Sequence, residues 1–351
     1  MDVATALERL PKVELHCHVE GTMRPATVVE LADKNGVELP TRDLDSLYHY
    51  TSLDTFLNVF WLVQSTLGDR GDWARLAYES VVDGAAHGLA YRETFFTPAR
   101  HLAAGQDLAD IIAGLDEGLA AAEAETGVPA RLICDMDRAY GPKAGLELVE
   151  RLVELRRAAS PGTERVIGVG KDSTELGVDP RDYVEPFRLA GQAGLHRTSH
   201  QGEVTSAANI AAGVDVLGCE RIDHGLRIVD DPGLIRRFAD ERIPLTVCPN
   251  SNIVIANAYE RLEQHPLPAM RTAGLLATVN TDDPALTFLD LGLEYRSVME
   301  AFGYGWDDMV AIALDGVEAT WLDDGDKRAL AARVRAEADL LGAELDNRPV
   351  S

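Results

Sequence analysis

The sequence predicts a single (β/α)8 barrel, residues 1–351, with a helical insertion after its first strand. Three observations lead to this prediction. Eight short apolar runs recur along the chain, each is followed by a segment with helical apolar spacing, and no linker or change of composition divides the chain. Alternating strands and helices form a parallel sheet, and eight repeats close it into a barrel. An open doubly wound sheet is the competing architecture, but no glycine-rich turn follows the first strand.

The first predicted strand, Lys12–Val19, alternates apolar and polar residues, so His16 and His18 share one face. About seventy residues replace the usual short connection before the second strand. This insertion contains an apolar and aromatic run from Tyr48 to Trp61, which we expect to wall or cover a pocket at the barrel mouth. The other predicted strands are Ala90–Thr97, Arg131–Met136, Arg165–Val169, Leu195–His200, Glu220–His224, Ile243–Cys248 and Leu276–Asn280.

Composition excludes some partners. A formal net charge of -25 argues against nucleic acid or an anionic membrane surface. No stretch has the length of a transmembrane helix, and the first ten residues lack the pattern of a signal peptide. Four scattered cysteines without a CxxC pair fit buried thiols in a reducing cytoplasm. We therefore predict a cytoplasmic protein without membrane or nucleic-acid partners. The oligomeric state, a homo-oligomer included, stays open because interface and core residues share one pattern.

Histidines and acids stand where four of the predicted strands end, and the active sites of such barrels lie there. Two histidines alone do not complete a metal site, but three histidines and an aspartate are a suitable set for zinc or a similar ion. Iron, cobalt and manganese share such ligands, so the residues do not fix the metal. The predicted ligands are His16, His18, His200 and Asp282, and the remaining polar residues at these ends are Glu203, Asp223, His224 and Asp283.

A metal held there lowers the pKa of a bound water enough to supply hydroxide near neutral pH. Glu203, close to the ligands but displaced from them, is predicted to pass a proton to the substrate. His224 is predicted to orient the attacking water or to take its proton. Asp283 is predicted to bind the substrate, with a helix cap as the alternative. The other histidines lie away from strand ends, and we expect His101 and His265 to be solvated loop residues.

Four motifs between residues 11 and 284 carry a family resemblance: P-K-V-E-L-H-C-H-V-E-G-T at 11–22, H-Q-G-E at 200–203, R-I-D-H-G at 221–225 and V-N-T-D-D-P at 279–284. Together they resemble the motifs of the adenosine/adenine deaminases, metal-dependent hydrolases of the amidohydrolase superfamily. The resemblance implies a barrel, one zinc ion per chain and hydrolytic deamination at C6 of a 6-aminopurine. It also implies that hydroxide attacks C6, His224 orients it, Glu203 protonates N1, Asp283 faces N7 and ammonia leaves.

Further details resemble the adenine-deaminase branch. Nucleoside deaminases of this family tend to carry an aspartate where Glu20 stands. The run G-V-G-K-D-S-T-E-L-G at 168–177 is similar to the adenine-deaminase G-x-G-L-D-S-S-E-x-G, and V-C-P-N-S-N at 247–252 is similar to V-C-P-L-S-N. The resemblance implies substrate contacts at Glu20, Ser173 and Glu175, where a carboxylate accepts a hydrogen from a purine ring nitrogen. Adenine is therefore the leading substrate.

Three residues depart from these motifs: Lys171, Gln201 and Asn250 replace apolar or small residues. We hypothesise that they make the site more polar and that Lys171 contacts an extra polar or anionic group of the substrate. A simple ion pair of Lys171 with a neighbouring acid is the alternative. Adenosine, an aminofutalosine-type purine and a non-purine aminated heterocycle stay open as substrates. A ligand-binding barrel without catalysis predicts the loss of a ligand or of Glu203, and all of these are intact.

Overall fold

In the computed structural model of the protein, residues 1–51 and 53–346 are described, apart from the side chains of residues 53, 54 and 346. Their strand segments all pair in parallel. β5 and β6 are the two halves of one barrel strand, so the segments occupy eight positions. The segments are β1 (Lys12–Glu14), β2 (Leu89–Phe96), β3 (Ala130–Asp137), β4 (Val166–Asp172), β5 (His196–Arg197), β6 (His200–Gln201), β7 (Ile222–His224), β8 (Leu245–Val247) and β9 (Ala277–Val279).

Backbone hydrogen bonds complete the ring beyond the regular strands. β1 to β5 follow one another in sequence order, and so do β6 to β9. The amide of Thr198, between β5 and β6, donates to the carbonyl of Val169 in β4 at 3.1 Å. The first and last strands meet where the Asp282 amide donates to the His16 carbonyl at 3.0 Å and the His18 amide donates to the Asp282 carbonyl at 2.9 Å. The predicted eight-stranded barrel is confirmed.

Helices cover the outside of the barrel and form the insertion. α2 to α5 lie between β1 and β2, which confirms the predicted helical insertion. Among the described residues, no helix is both long and apolar enough to span a bilayer. The helices are α1 (Val3–Arg9), α2 (Pro25–Asn35), α3 (Leu44–Leu47), α4 (Leu53–Ser65), α5 (Arg70–Ala86), α6 (Ala99–Ala103), α7 (Leu108–Thr126), α8 (Gly141–Arg157), α9 (Val184–Gln192), α10 (Ala207–Asp215), α11 (Pro232–Glu241), α12 (Pro249–Val254), α13 (Leu267–Thr272), α14 (Leu291–Phe302), α15 (Trp306–Glu318) and α16 (Asp324–Asp346).

Local sequence signals fix several of these helix ends. Asp69 caps α5 by accepting a hydrogen bond from the Asp72 amide, and Asp72 reciprocates in a capping box. α2 ends at Gly36, whose φ of +69° favours glycine. In α7, a Cβ at Gly118 would lie 2.0 Å from the carbonyl oxygen of Ala74 in α5. Glycine is therefore needed for these two helices to pack so closely.

Two buried ion pairs hold the barrel strands together. Arg92 Nη2 lies 2.6 Å from Glu14 Oε2, and Arg221 Nη1 lies 2.5 Å from Glu93 Oε2. The Arg221 guanidinium also stacks over the Trp321 ring, 3.9 Å from its centroid. Charges this deep are tolerated only when they are paired and hydrogen-bonded. The pairs thus tie β2 both to β1 and to the strand that contains β7.

Candidate active site

Three imidazole rings and one carboxylate converge at the carboxyl ends of the barrel strands. His16 Nε2 lies 3.1 Å from Asp282 Oδ1, and His18 Nε2 lies 3.4 Å from the same oxygen. His18 Nε2 and His200 Nε2 are 3.2 Å apart. The first, fifth and eighth barrel strands supply these residues. They meet because parallel barrel strands all end at the same mouth. The structure therefore brings all four predicted ligands together.

The hydrogen bonds of His16 leave one ring nitrogen without a protein partner. The Thr246 hydroxyl donates its only hydrogen to Asp223 Oδ1 at 2.8 Å, so it accepts from His16 Nδ1 at 3.1 Å. His16 Nε2 consequently carries a bare lone pair, and it has no hydrogen-bond partner among the described residues although it is buried. A lone pair aimed at a carboxylate oxygen is unfavourable alone, but it fits a shared cation.

The protonation states also fit a divalent metal ion. Burial lowers the pKa of His18 to about 4 and that of His200 well below its usual value, so both rings are neutral, as ligands must be. Burial opposes ionisation of Asp282, but the surrounding histidines, His16 above all, lower the pKa of this carboxyl. Ligand atoms of His16, His200, His224 and Asp282 also lie within 4.8 Å of one another. The neutral rings of His18 and His200 beside an ionised carboxylate make this a divalent metal site.

Two members of the cluster have strained backbones. His224 has a φ of +61° and Asp282 a φ of +67°, in the left-handed region that side chains with a Cβ rarely adopt. Such conformations cost on the order of 1–3 kcal/mol each and are concentrated at functional sites. Both residues lie at the carboxyl ends of their barrel strands.

Glu203 and His224 meet through one asparagine. Asn252 Nδ2 donates to Glu203 Oε1 at 2.8 Å and to His224 Nδ1 at 3.1 Å. Burial raises the pKa of Glu203 to about 8, and the nearby Asp282 carboxylate adds to this shift. Glu203 is thus an acid that holds its proton at neutral pH beside the metal site.

Asp283 lies deep in the same pocket, against the chain that follows β1. A Cβ at Gly21 would lie 1.8 Å from Asp283 Oδ1, so only glycine leaves room for this carboxyl. Burial raises the pKa of Asp283 well above its usual value and that of Glu20 to about 7. Glu20 accepts a hydrogen bond from the Thr97 amide at 2.8 Å. At neutral pH the Asp283 carboxyl therefore favours the protonated form, while Glu20 is close to evenly divided between its two forms.

A pocket opens over the metal cluster, and the insertion forms one of its walls. Four residues of the predicted aromatic run, Phe56, Leu57, Phe60 and Trp61, line the cavity as expected, while residue 52 and the side chains of residues 53 and 54 lie outside the described part. Opposite them the wall is acidic, with Thr97 Oγ1 donating to Asp172 Oδ2 at 2.5 Å. The lining residues from α4 are Phe56, Leu57, Phe60, Trp61 and Gln64. The lining also includes His18, Thr97, Asp137, Asp172, Ser173, Glu175, His200, Glu203, His224, Asp282 and Asp283.

Glu175 and Ser173 lie at the pocket, but Glu175 is occupied by the chain after β6. Its carboxylate accepts hydrogen bonds from the amides of Gly202 at 2.7 Å and Glu203 at 2.8 Å, and from the Thr205 hydroxyl. These bonds fix the segment that carries Glu203. Ser173 has a φ of +69°, and its carbonyl accepts from Arg138 Nη1 at 2.7 Å.

The three residues that depart from the family motifs point away from the pocket. Lys171 is fully buried, and its Nζ lies 4.5 Å from the centroid of the Tyr183 ring. Gln201 donates to the Ser199 hydroxyl at 3.2 Å. Asn250 donates to Glu294 on α14 at 2.9 Å. The expectation that Lys171 contacts the substrate is therefore wrong for this structure, because neighbouring side chains on a strand face opposite sides and Asp172 takes the pocket side.

The structure also adds residues that the sequence did not single out. Arg138 donates a hydrogen bond to the backbone carbonyl of His200 and so holds this predicted ligand in place. Asn252 belongs to a motif whose asparagine received no role. His101 and His265 are each 3% exposed, so the expectation that they are solvated is wrong. The rule that found the histidines, a polar residue at the carboxyl end of a barrel strand, would have found Thr97, Asp137 and Asp172 as well.

Comparison with known proteins agrees with this geometry. The family model described as adenosine deaminase matches residues 11–337. The chain belongs to the adenosine deaminase family. This confirms the resemblance drawn from the four motifs. Among curated members of the family, an adenine deaminase from Streptomyces coelicolor is 39% identical over 95% of this chain and 96% of its own. One from Psychrobacter cryohalolentis is 31% identical over 93% of this chain and 97% of its own.

Solved structures of the deaminase family share the fold. The adenine deaminase from Arthrobacter aurescens superposes with a TM-score of 0.88 at 31% identity, covering 94% of this chain and 99% of that one. An amidohydrolase from Burkholderia ambifaria, with bound Zn, superposes with a TM-score of 0.90 at 30% identity, covering 99% of this chain and 96% of that one.

Proposed function

We propose that this deaminase-family protein is a metal-dependent aminohydrolase that converts adenine, or a closely related 6-aminopurine, to the 6-oxo product and ammonia. One observation carries the proposal: a single pocket holds the histidine–aspartate cluster, the acid Glu203 and the buried carboxyl of Asp283. Hydrolytic deamination needs an activated water, a proton donor for the ring and a group that orients the purine. The relatives named adenine deaminase support adenine as the substrate.

The proposed metal is one zinc ion per chain, held by His16, His18, His200 and Asp282. When bound, zinc lowers the pKa of a water and so supplies the nucleophile near neutral pH. Three neutral imidazoles and a carboxylate are a common zinc set, and zinc is bound in the similar amidohydrolase structure. Ser251 donates to Asp282 Oδ2 at 2.6 Å and so holds this carboxylate in place.

Two protonated carboxyls suit the polarity of the purine. Glu203 keeps its proton at neutral pH and therefore delivers it to N1, which makes C6 more electrophilic. Asp283 also keeps its proton, so it donates a hydrogen bond to N7, which is an acceptor. His224 lies beside Glu203 and orients the attacking water. These assignments are proposals of ours that rest on position and protonation state.

The acidic wall favours a free purine base as the substrate. Asp172 Oδ1 is buried without a hydrogen-bond partner among the described residues, and Asp172 lines the pocket. Burial raises the pKa of Asp172 to about 8, so its carboxyl, like that of Glu203, keeps its proton at neutral pH. We propose that the carbonyl oxygen of this protonated carboxyl accepts from the ring N–H of adenine, with Glu20 and Ser173 beside it. Lys171, Gln201 and Asn250 face away from the pocket, so the idea of an additional anionic group on the substrate loses its structural support.

The test is a screen for ammonia release by the zinc-loaded protein on adenine, adenosine, deoxyadenosine, methylthioadenosine, an aminofutalosine and several non-purine aminoheterocycles. The matched control is Glu203→Gln, which keeps the shape of the side chain but removes its acid. We expect turnover of adenine, and a loss of about 10²–10⁴-fold in the variant. Silence on every purine with zinc bound, or a fully active variant, would overturn the proposal.

We further propose a cytoplasmic location and a single barrel domain. Cys17, Cys134, Cys219 and Cys248 are buried free thiols, which supports a reducing compartment. The core residues extend from the first helix to the last, which supports one domain. Detecting the labelled protein in fractionated cells tests the location. An unfolding experiment tests the domain organisation, and a single cooperative transition is expected.

A further inference from the structure

A chain of three hydrogen bonds leads from a backbone amide outside the pocket to the two groups proposed for catalysis. It begins at Leu267, whose amide donates to His265 Nδ1 at 3.1 Å. A backbone N–H can only donate, so His265 Nδ1 is an acceptor and carries no hydrogen. Burial lowers the pKa of His265 to about 4, so the ring is neutral at pH 7 and its single hydrogen is on Nε2.

The next bond orients an amide. His265 Nε2 lies 3.3 Å from Asn252 Oδ1, so the ring donates and the amide oxygen accepts. The oxygen of Asn252 therefore faces His265, and its NH2 group must face the other way. That group has two hydrogens, and it has two partners: Glu203 Oε1 at 2.8 Å and His224 Nδ1 at 3.1 Å. Every donor and acceptor of the amide is used once.

We infer that His265 and Asn252 are positioning residues that hold the ring hydrogen of His224 on Nε2. Since His224 Nδ1 accepts from Asn252, the neutral ring must carry its hydrogen on the other nitrogen. His224 then offers a donor, and not a base, to the attacking water. This decides between the two roles that the sequence left open for His224. The inference rests on the proposed deaminase reaction only for its kinetic consequence.

The surroundings of His265 explain why its imidazole ring cannot flip easily. The ring is 3% exposed, and it packs edge-on against Tyr259, with ring centroids 5.7 Å apart, and near Phe302 at 6.5 Å. Pro266 follows it and begins the turn into α13. A ring held by packing on two sides and by a backbone amide on a third keeps one orientation. Without the donor on Nε2, the Asn252 amide loses the one interaction that distinguishes its oxygen from its nitrogen.

The experiment measures the ring nitrogens of His224 by ¹⁵N NMR in the zinc-loaded protein, with a His224→Asn variant to assign the signals. In the wild type, we expect hydrogen on Nε2 and none on Nδ1. His265→Phe keeps the ring packing but removes the donor, and we expect His224 Nδ1 to become partly protonated. His265→Gln keeps an N–H group at the position of Nε2, and we expect it to restore the wild-type spectrum.

Kinetics supply the second readout. We expect His265→Phe to lower kcat for adenine by about 10- to 100-fold with KM nearly unchanged, and His265→Gln to recover most of the loss. A wild-type His224 protonated on Nδ1 would overturn the inference without any variant. So would an unchanged His224 spectrum in His265→Phe. If no purine is turned over, the proposed function fails, while the wild-type spectrum still decides this inference.

Discussion

Replacing Lys171 with methionine tests whether a lysine buried without a hydrogen bond destabilises this barrel. Its Nζ has no hydrogen-bond partner among the described residues. Burial, with a smaller contribution from the charge of Arg138, lowers its pKa from 10.5 to about 7. A shift of one pKa unit corresponds to about 1.4 kcal/mol, so protonating this lysine in the folded protein costs about 5 kcal/mol. Methionine has a similar length and no charge to bury, so we expect Lys171→Met to be more stable.

The pH dependence gives the expected sign. Between the folded pKa of about 7 and the unfolded value of 10.5, the unfolded chain holds a proton that the folded chain lacks. The free energy of unfolding of the wild type therefore rises with pH in this range, and the full cost is present below pH 7. We expect the advantage of Lys171→Met to be about 5 kcal/mol at pH 6 and to shrink to about 2 kcal/mol at pH 9.

Urea unfolding at both pH values, followed by circular dichroism, measures this difference. Lys143→Met is the matched control, because the Lys143 side chain on α8 is 90% exposed and should give no pH-dependent change. A Lys171→Met protein less stable than the wild type at pH 6 would refute the reasoning, and so would an advantage that does not shrink at pH 9. We also expect kcat/KM for adenine to stay unchanged, since Lys171 does not reach the pocket.

Three further predictions concern other parts of the molecule. Gly21→Ala places a Cβ 1.8 Å from Asp283 Oδ1, so we expect the carboxyl to move and kcat/KM to fall by about 100-fold; an active variant would show that Asp283 need not stay where it is. Glu93→Gln leaves the buried Arg221 charge unpaired, and we expect urea unfolding to show a loss of about 3–5 kcal/mol; a loss below about 1 kcal/mol would mean that solvent reaches the pair. Removing the metal with a chelator should lower the melting temperature and abolish ammonia release, and added zinc should restore both; ammonia release that persists in metal-free protein would contradict the metal site.

The barrel and the convergence of the candidate ligands could be predicted because barrel strands end at a common mouth. His16, His200 and Asp282 are far apart in sequence, but each lies within or close to the end of a recognisable apolar run. In a parallel barrel that fact alone places them on one surface. Strand lengths were less predictable: Lys12–Val19 reads as one strand, yet regular pairing in β1 stops at Glu14. Beyond Glu14 the pairing continues only as isolated bridges, from Cys17 to Asp282 and from His18 to Phe95.

The side on which Lys171 lies could not be read from its strand. A strand shows its faces only through the alternation of polar and apolar side chains. In β4 the positions that alternate with Asp172 on one face are Val166, Gly168 and Gly170, and the two nearest to it have no side chains to show the face. Gly170 is required there, because a Cβ would lie 1.8 Å from Asp135 Oδ1 inside the barrel. Because these glycines have no side chains, the sequence lacks the polar and apolar alternation that would have shown Lys171 to face away from the barrel interior.

The misassigned His265 shows a different limit. Its segment is polar and contains prolines, which is typical of a solvated loop, and nothing local indicates that Tyr259 and Phe302 cover it. Its role depends on a bond to Asn252 thirteen residues away, and from there on a bond to Glu203, forty-nine residues away. One hydrogen bond sets the donor and acceptor roles in the next only when every member of the chain is fixed in space. Such a chain therefore exists only in the folded molecule, and no periodic pattern in the sequence reveals it. A sequence can therefore identify the groups that react, while the residues that set their protonation become visible only once the donors and acceptors are counted in three dimensions.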